Sequence, residues 1–169
     1  MILLWSSLLI AVQFSPSDDC IYDGISSSDR QIIGEAVLAK ETTAAADLTK
    51  SATDRCAREN RWSTPQALQM NGYASMRFAA DVLAGKFGKP GWSSSALHAI
   101  REWPLDRVRT LAGTNTDTDN AAFKLVLTQM IGADRTLPDA VQAMDKADLE
   151  SFVLIIKLNA VAELVRRGG

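Results

Sequence analysis

Residues 63–87 read STPQALQMNGYASMRFAADVLAGKF, and they decide the fold class of this chain. Ser63 followed three positions later by Gln66 is a capping box, in which each side chain satisfies a backbone N–H of the other residue. Pro65 is tolerated in the first turn, where an N–H would have no helical partner to lose. Leu68, Gly72, Met76, Ala79, Leu83 and Phe87 then recur at helical spacing, flanked by Tyr73 and Ala80, so one face of a long helix is apolar. Gly72 costs this helix about 1 kcal/mol relative to Ala, and the compensation expected is close approach of a second helix. The run Gly-Lys-Phe-Gly-Lys-Pro-Gly, residues 85–91, closes the element as a turn. Its glycines lack the following Lys-Ser or Lys-Thr of a phosphate-cradling loop.

The same signals continue on both sides. Ser28 and Gln31 form a second predicted capping box, opening a helix through Ile32, Ile33, Val37 and Leu38. The Ala-rich stretch from Thr43 to Glu59 places Leu48, Ala52 and Cys56 on one face and ends at Asn60-Arg61-Trp62. Downstream, Ala96, Ala99, Ile100 and Trp103 share one side of a helix that Pro104 breaks. A short helix from Leu105 to Leu111, a polar linker, a Thr118-capped helix from Asp119 to Ile131 and a Pro138 turn follow. Asp145 caps the last helix, Lys146 to Arg167, and Gly168 stops it. Its centre, Phe152-Val153-Leu154-Ile155-Ile156, is apolar all round, which predicts a position inside the bundle. No segment alternates apolar and polar residues as a half-buried strand does. The expected fold is all-α: a single-domain, irregular bundle of about six or seven helices around a hydrophobic C-terminal helix.

Composition narrows the function classes. The 169 residues are 47% hydrophobic, enough for one sizeable core and too rich in apolar residues for a disordered chain. Eighteen Lys and Arg against twenty Asp and Glu give a net charge of −2, which does not support a nucleic-acid-binding surface. Residues 2–14 are apolar apart from two serines and a glutamine, and the polar segment 15–19 follows at once. That is the outline of a signal peptide, too short for a spanning helix. The expected division is a leader over residues 1–17 and a helical domain over 18–169, with a periplasmic or secreted location and no stable membrane span after processing. The alternative is an N-terminal membrane anchor. Cys20 and Cys56 are the only cysteines, and an isolated pair in an oxidising compartment predicts one disulfide.

Chemistry-bearing residues are few. His98 is the only histidine, and Ser94, His98 and Glu102 are spaced by four, along one line of a helix. These are the residue types of a nucleophile, base and orienter, yet helical side chains at that spacing run parallel, and an ordinary solvated polar face is the expected reading. No cofactor is expected, and no metal, since there is no thiolate cluster and Asp117-Thr118-Asp119-Asn120 lacks the fixed Gly and distal Glu of a calcium loop. Residues 86–109 are the one asymmetric stretch: Lys86, Lys89, Arg101, Arg107 and Arg109 against Glu102 and Asp106, a net +3. With Trp92 and Trp103 as aromatic anchors, Lys86, Lys89, Arg107 and Arg109 form the expected binding surface for an acidic protein or an anionic envelope component. The expected function is a non-catalytic, exported interaction protein. The alternative is a small periplasmic hydrolase using Ser94, His98 and Glu102 or a carboxylate pair.

Overall fold

Ser63 and Gln66 bond reciprocally as a capping box, and the helix they open runs without interruption from Thr64 to Lys86. In the computed structural model, which describes residues 16–113 and 120–168, the elements after a 3-10 turn at Pro16–Asp19 are all helices. They are α1 Cys20–Asp23, α2 Ser27–Leu38, α3 Thr42–Asn60, α4 Thr64–Lys86, α5 Gly91–Arg101, α6 Leu105–Gly113, α7 Asn120–Ala133, α8 Leu137–Gln142 and α9 Lys146–Arg166. The protein is all-α, and the count among the described residues exceeds the expected six or seven because α1 is a short additional piece and the short helical turn expected at Pro138 is counted as α8.

Asp145 caps α9 by accepting from the Asp148 N–H at 2.8 Å, and Gly168 ends the chain's last turn at φ +72°. The cap of α2 differs from expectation. Ser26, not Ser28, accepts from the Asp29 N–H, because Ser26 alone has the extended backbone that aims a hydroxyl back at the first turn. The Asp117–Asn120 segment and the Thr118 cap fall mostly outside the described residues.

Two helices share the centre. α9 packs against α4, α5 and α6, and α4 packs against α9, α2, α3, α5 and α1. The C-terminal helix is central as expected, and α4 shares that position; Leu154 of the all-apolar run is nonetheless 39% exposed. α9 passes close to Gly72, where an added Cβ would stand 3.4 Å from Val165. Contact is closer still at Gly34 of α2, where a Cβ would sit 2.5 Å from the Phe78 carbonyl oxygen, so only glycine permits this α2–α4 approach.

The buried side chains form two clusters. The larger joins the second half of α4 to α5, α6, α7 and α9 around Trp92, Ile100, Val126, Phe152 and Ile156. The smaller joins α1, α2, α3 and the first half of α4 around Ile21, Ile33, Cys56, Met70 and Phe78. Several predicted stripe residues lie elsewhere: Leu68 is 66% exposed, Ile32 51% and Leu48 40%. On α3, Ala52 and Cys56 of the expected face are buried, but Ala45, Thr49 and Thr53 join them in place of Leu48, because α3 rests on α2 and α4 through its smallest side chains. None of the described helices is long and apolar enough to cross a membrane.

Candidate functional site

The segment that follows the predicted leader is built into the domain residue by residue. Asp18 accepts from Arg166 at 2.9 Å. Asp19 accepts from Arg77 and from the Tyr73 hydroxyl, and lies 3.5 Å from Arg101. Cys20 is disulfide-bonded to Cys56, Ile21 is fully buried, and the Tyr22 hydroxyl donates to Asp81. These five consecutive residues thereby tie α3, α4, α5 and α9 together.

Around Asp18 and Asp19 lies a charge network absent from the sequence-based expectations. Glu163, with no exposed surface, accepts from Arg166 at 2.6 and 2.8 Å and from Arg167 at 2.6 Å. Arg167 also donates to the Trp103 carbonyl at 2.6 Å and to that of Arg101, joining α9 to the end of α5. Arg101 donates to the Tyr73 hydroxyl at 2.7 Å. Burial pushes the Tyr73 hydroxyl up to about 12, opposed by the charge of Arg77. Burial, reinforced by the hydrogen bond to Asp81, likewise pushes Tyr22 up to about 12. The Tyr22 ring stacks on Phe78 with centroids 5.1 Å apart and carries the guanidinium groups of Arg77 and Arg30 at 3.6 and 4.4 Å. A tyrosine so held stays protonated at neutral pH.

Ser94, His98 and Glu102 do line one concavity, about 590 Å³, together with Ser95, Ala99, Gln129 and Ala133. The Ser94 hydroxyl donates to the Gly91 carbonyl at 3.0 Å, in the first turn of α5. Among the described residues no hydrogen bond links Ser94, His98 and Glu102 to one another, and His98 and Glu102 are exposed. A base activates a serine only by accepting its proton, and here that proton is directed at a carbonyl.

The residues of the expected binding stretch separate. Trp92 and Trp103 are core residues, 3% and 5% exposed, and neither offers a surface anchor. Trp92 packs edge-on against Phe152 at 5.2 Å and donates its indole N–H to Asp134 at 3.1 Å. The Thr136 hydroxyl and backbone N–H, together with that indole, hold the Asp134 carboxyl down to about 2. Lys89 turns to the same corner, 3.1 Å from the Thr136 hydroxyl and 3.9 Å from Asp134. Arg107 lies over the Trp103 ring at 5.3 Å with its side chain otherwise in solvent, and Arg109 is exposed. Lys86 is exposed and lines a second groove, about 550 Å³, with Tyr22, Arg30, Glu35, Asp81 and Ser94 among its walls. Its cations, Arg30 and Lys86, are matched by its carboxylates, Glu35 and Asp81.

Cys20, Cys56 and Glu59 bring three potential metal ligand atoms within 4.8 Å of one another, but the two sulfurs are bonded to each other and are not thiolates. No protein-family model matches this chain, and no curated protein or solved structure matches it.

Proposed function

We propose that this is an exported, non-catalytic binding protein, the helical domain beginning at Asp18 behind a leader over residues 1–17. The observation that carries the non-catalytic reading is the α5 edge, where the Ser94 hydroxyl is committed to Gly91 and His98 has no bond to it. Export is supported by the disulfide, which persists in an oxidising compartment such as the periplasm or the extracellular space. Lys86, Arg107 and Arg109 are the cations of the 86–109 stretch that face solvent, and they suit an acidic protein or an anionic envelope component by long-range attraction. Lys89 contributes less, because it already faces Asp134. With Trp92 and Trp103 in the core, the contact is electrostatic in character and sensitive to salt.

The test is capture from native envelope with the oxidised mature protein, beside a variant carrying Lys86→Glu, Arg107→Glu and Arg109→Glu. Loss of the captured component by the variant at low salt, and by the wild type at moderate salt, is expected. Equal capture by both proteins at both salt concentrations overturns the charged-surface reading. A hydrolytic activity abolished by His98→Ala with the fold intact overturns the non-catalytic one.

A further inference from the structure

The buried face of α3 contains no leucine, isoleucine, valine, methionine or aromatic residue: it is Ala45, Thr49, Ala52, Thr53 and Cys56. Little apolar area therefore holds this long helix to α2 and α4. Its polar groups do not compensate. Thr49 donates to the Ala45 and Ala46 carbonyls, Thr53 to Thr49, and Asn60 to Cys56, all inside α3. Its ion pairs, Lys50 with Asp54 and Arg55 with Glu59, are internal and exposed as well. Glu59 lies 3.9 Å from the Cys20 sulfur, but a disulfide sulfur carries no proton to donate. Among the described side chains, what holds α3 beyond its small face of Ala45, Ala52 and Cys56 is the covalent bond from Cys56 to Cys20, and the Arg55 side chain lying over Gly24 of the same segment.

The partner end of that bond is held differently. Asp18 and Asp19 pair with arginines of α4, α5 and α9, Ile21 is fully buried, and Tyr22 bonds to Asp81. α2 likewise has its own attachment, through Ile33 and the Gly34 contact with Phe78.

We infer that α3 is a redox-released cover: breaking Cys20–Cys56 frees α3 from the domain while residues 18–22, α2 and the α4–α9 bundle stay in place. The reductant is a dithiol. Its thiolate attacks the sulfur of Cys20, a partly exposed residue, whereas Cys56 has no exposed surface. The S–S bond breaks, Cys56 leaves as a thiolate and takes a proton. The second thiol of the reductant then displaces Cys20 as a thiol and closes the reductant's own disulfide, a two-electron exchange. The opening uncovers the smaller apolar cluster around Ile33, Met70 and Phe78. This inference goes beyond the binding role and does not depend on it.

Hydrogen exchange read by mass spectrometry on the oxidised mature protein, the protein reduced with dithiothreitol, and Cys20→Ala/Cys56→Ala tests it. Amides of residues 42–60 are expected to exchange about a hundredfold faster in both reduced and substituted proteins, with α4, α5 and α9 within about threefold of the oxidised form. A rise spread evenly over all helices, or global loss of helical circular dichroism, overturns the inference by showing that the bond stabilises the domain as a whole. Unchanged exchange over 42–60 overturns it by showing that packing alone holds α3. Reoxidation of the reduced sample is expected to restore protection, which separates release from irreversible unfolding.

Discussion

Replacing Asp19 by Ala tests whether the segment after the leader is part of the domain or merely rests on it. The carboxylate accepts from Arg77 and Tyr73 and faces Arg101, whose own side chain also bonds to Tyr73. Arg77 is only 13% exposed, so losing the carboxylate leaves that cation and the buried Tyr73 hydroxyl short of an acceptor. Removing one member of a fully buried pair costs about 3–5 kcal/mol. Asp19 is itself 33% exposed, and water replaces part of what is lost, so about 2–3 kcal/mol is expected here. For a domain of this size that lowers the melting temperature by roughly 4–12 °C. Urea unfolding followed by circular dichroism at 222 nm gives the free energy. A double-mutant cycle with Arg77→Met isolates the pair and is expected to show coupling above about 1 kcal/mol. Asp19→Ala within about 0.5 kcal/mol of wild type, or a cycle with no coupling, would refute the argument that this segment locks α4 to its neighbours.

Glu163→Gln removes the charge that Arg166 and Arg167 share at a site with no exposed surface, and a loss of about 3 kcal/mol or more is expected in the same urea assay. The chain has two tyrosines, Tyr22 and Tyr73, both raised to about 12, so absorbance at 295 nm is expected to show no phenolate step near 10 while the protein is folded. Below pH 10 both folded and unfolded states keep these protons. Between 10 and about 12 the unfolded state releases them first, and stability falls as pH rises. Asp134 has the opposite sign: its stabilisation is complete above its ordinary value of 3.8 and is lost as pH falls from there through about 2. Asp134→Asn should therefore make the acid limb of a stability profile shallower over that interval, while an unchanged limb would contradict the hydrogen bonds from Thr136 and Trp92 to Asp134 as its source.

What sequence determined about this protein is local. The Ser63–Gln66 box, the Asp145 cap, the 85–91 turn and the Pro104 break each depend on residues within one turn of one another, and the long elements lie where those signals put them. The Cys20–Cys56 bond was also legible, because two cysteines allow one pairing. Which way each helix faces was not. Periodicity gives a stripe, but Leu48, Leu68 and Ile32 belong to stripes whose burial depends on where a neighbouring helix comes to rest, and α2 meets α4 closely at Gly34, beside the buried Ile33, with Ile32 left outside. The placement of Trp92 and Trp103 in the core has the same origin, since an aromatic residue at a helix end serves surface or interior according to what packs over it. The network of Asp18, Asp19, Tyr73, Arg77, Arg101, Glu163, Arg166 and Arg167 was illegible for a simpler reason. Its bonded pairs are up to 148 positions apart, as with Asp18 and Arg166, and charge pairing at that separation leaves no mark on local pattern; only the tertiary structure brings them within hydrogen-bonding distance.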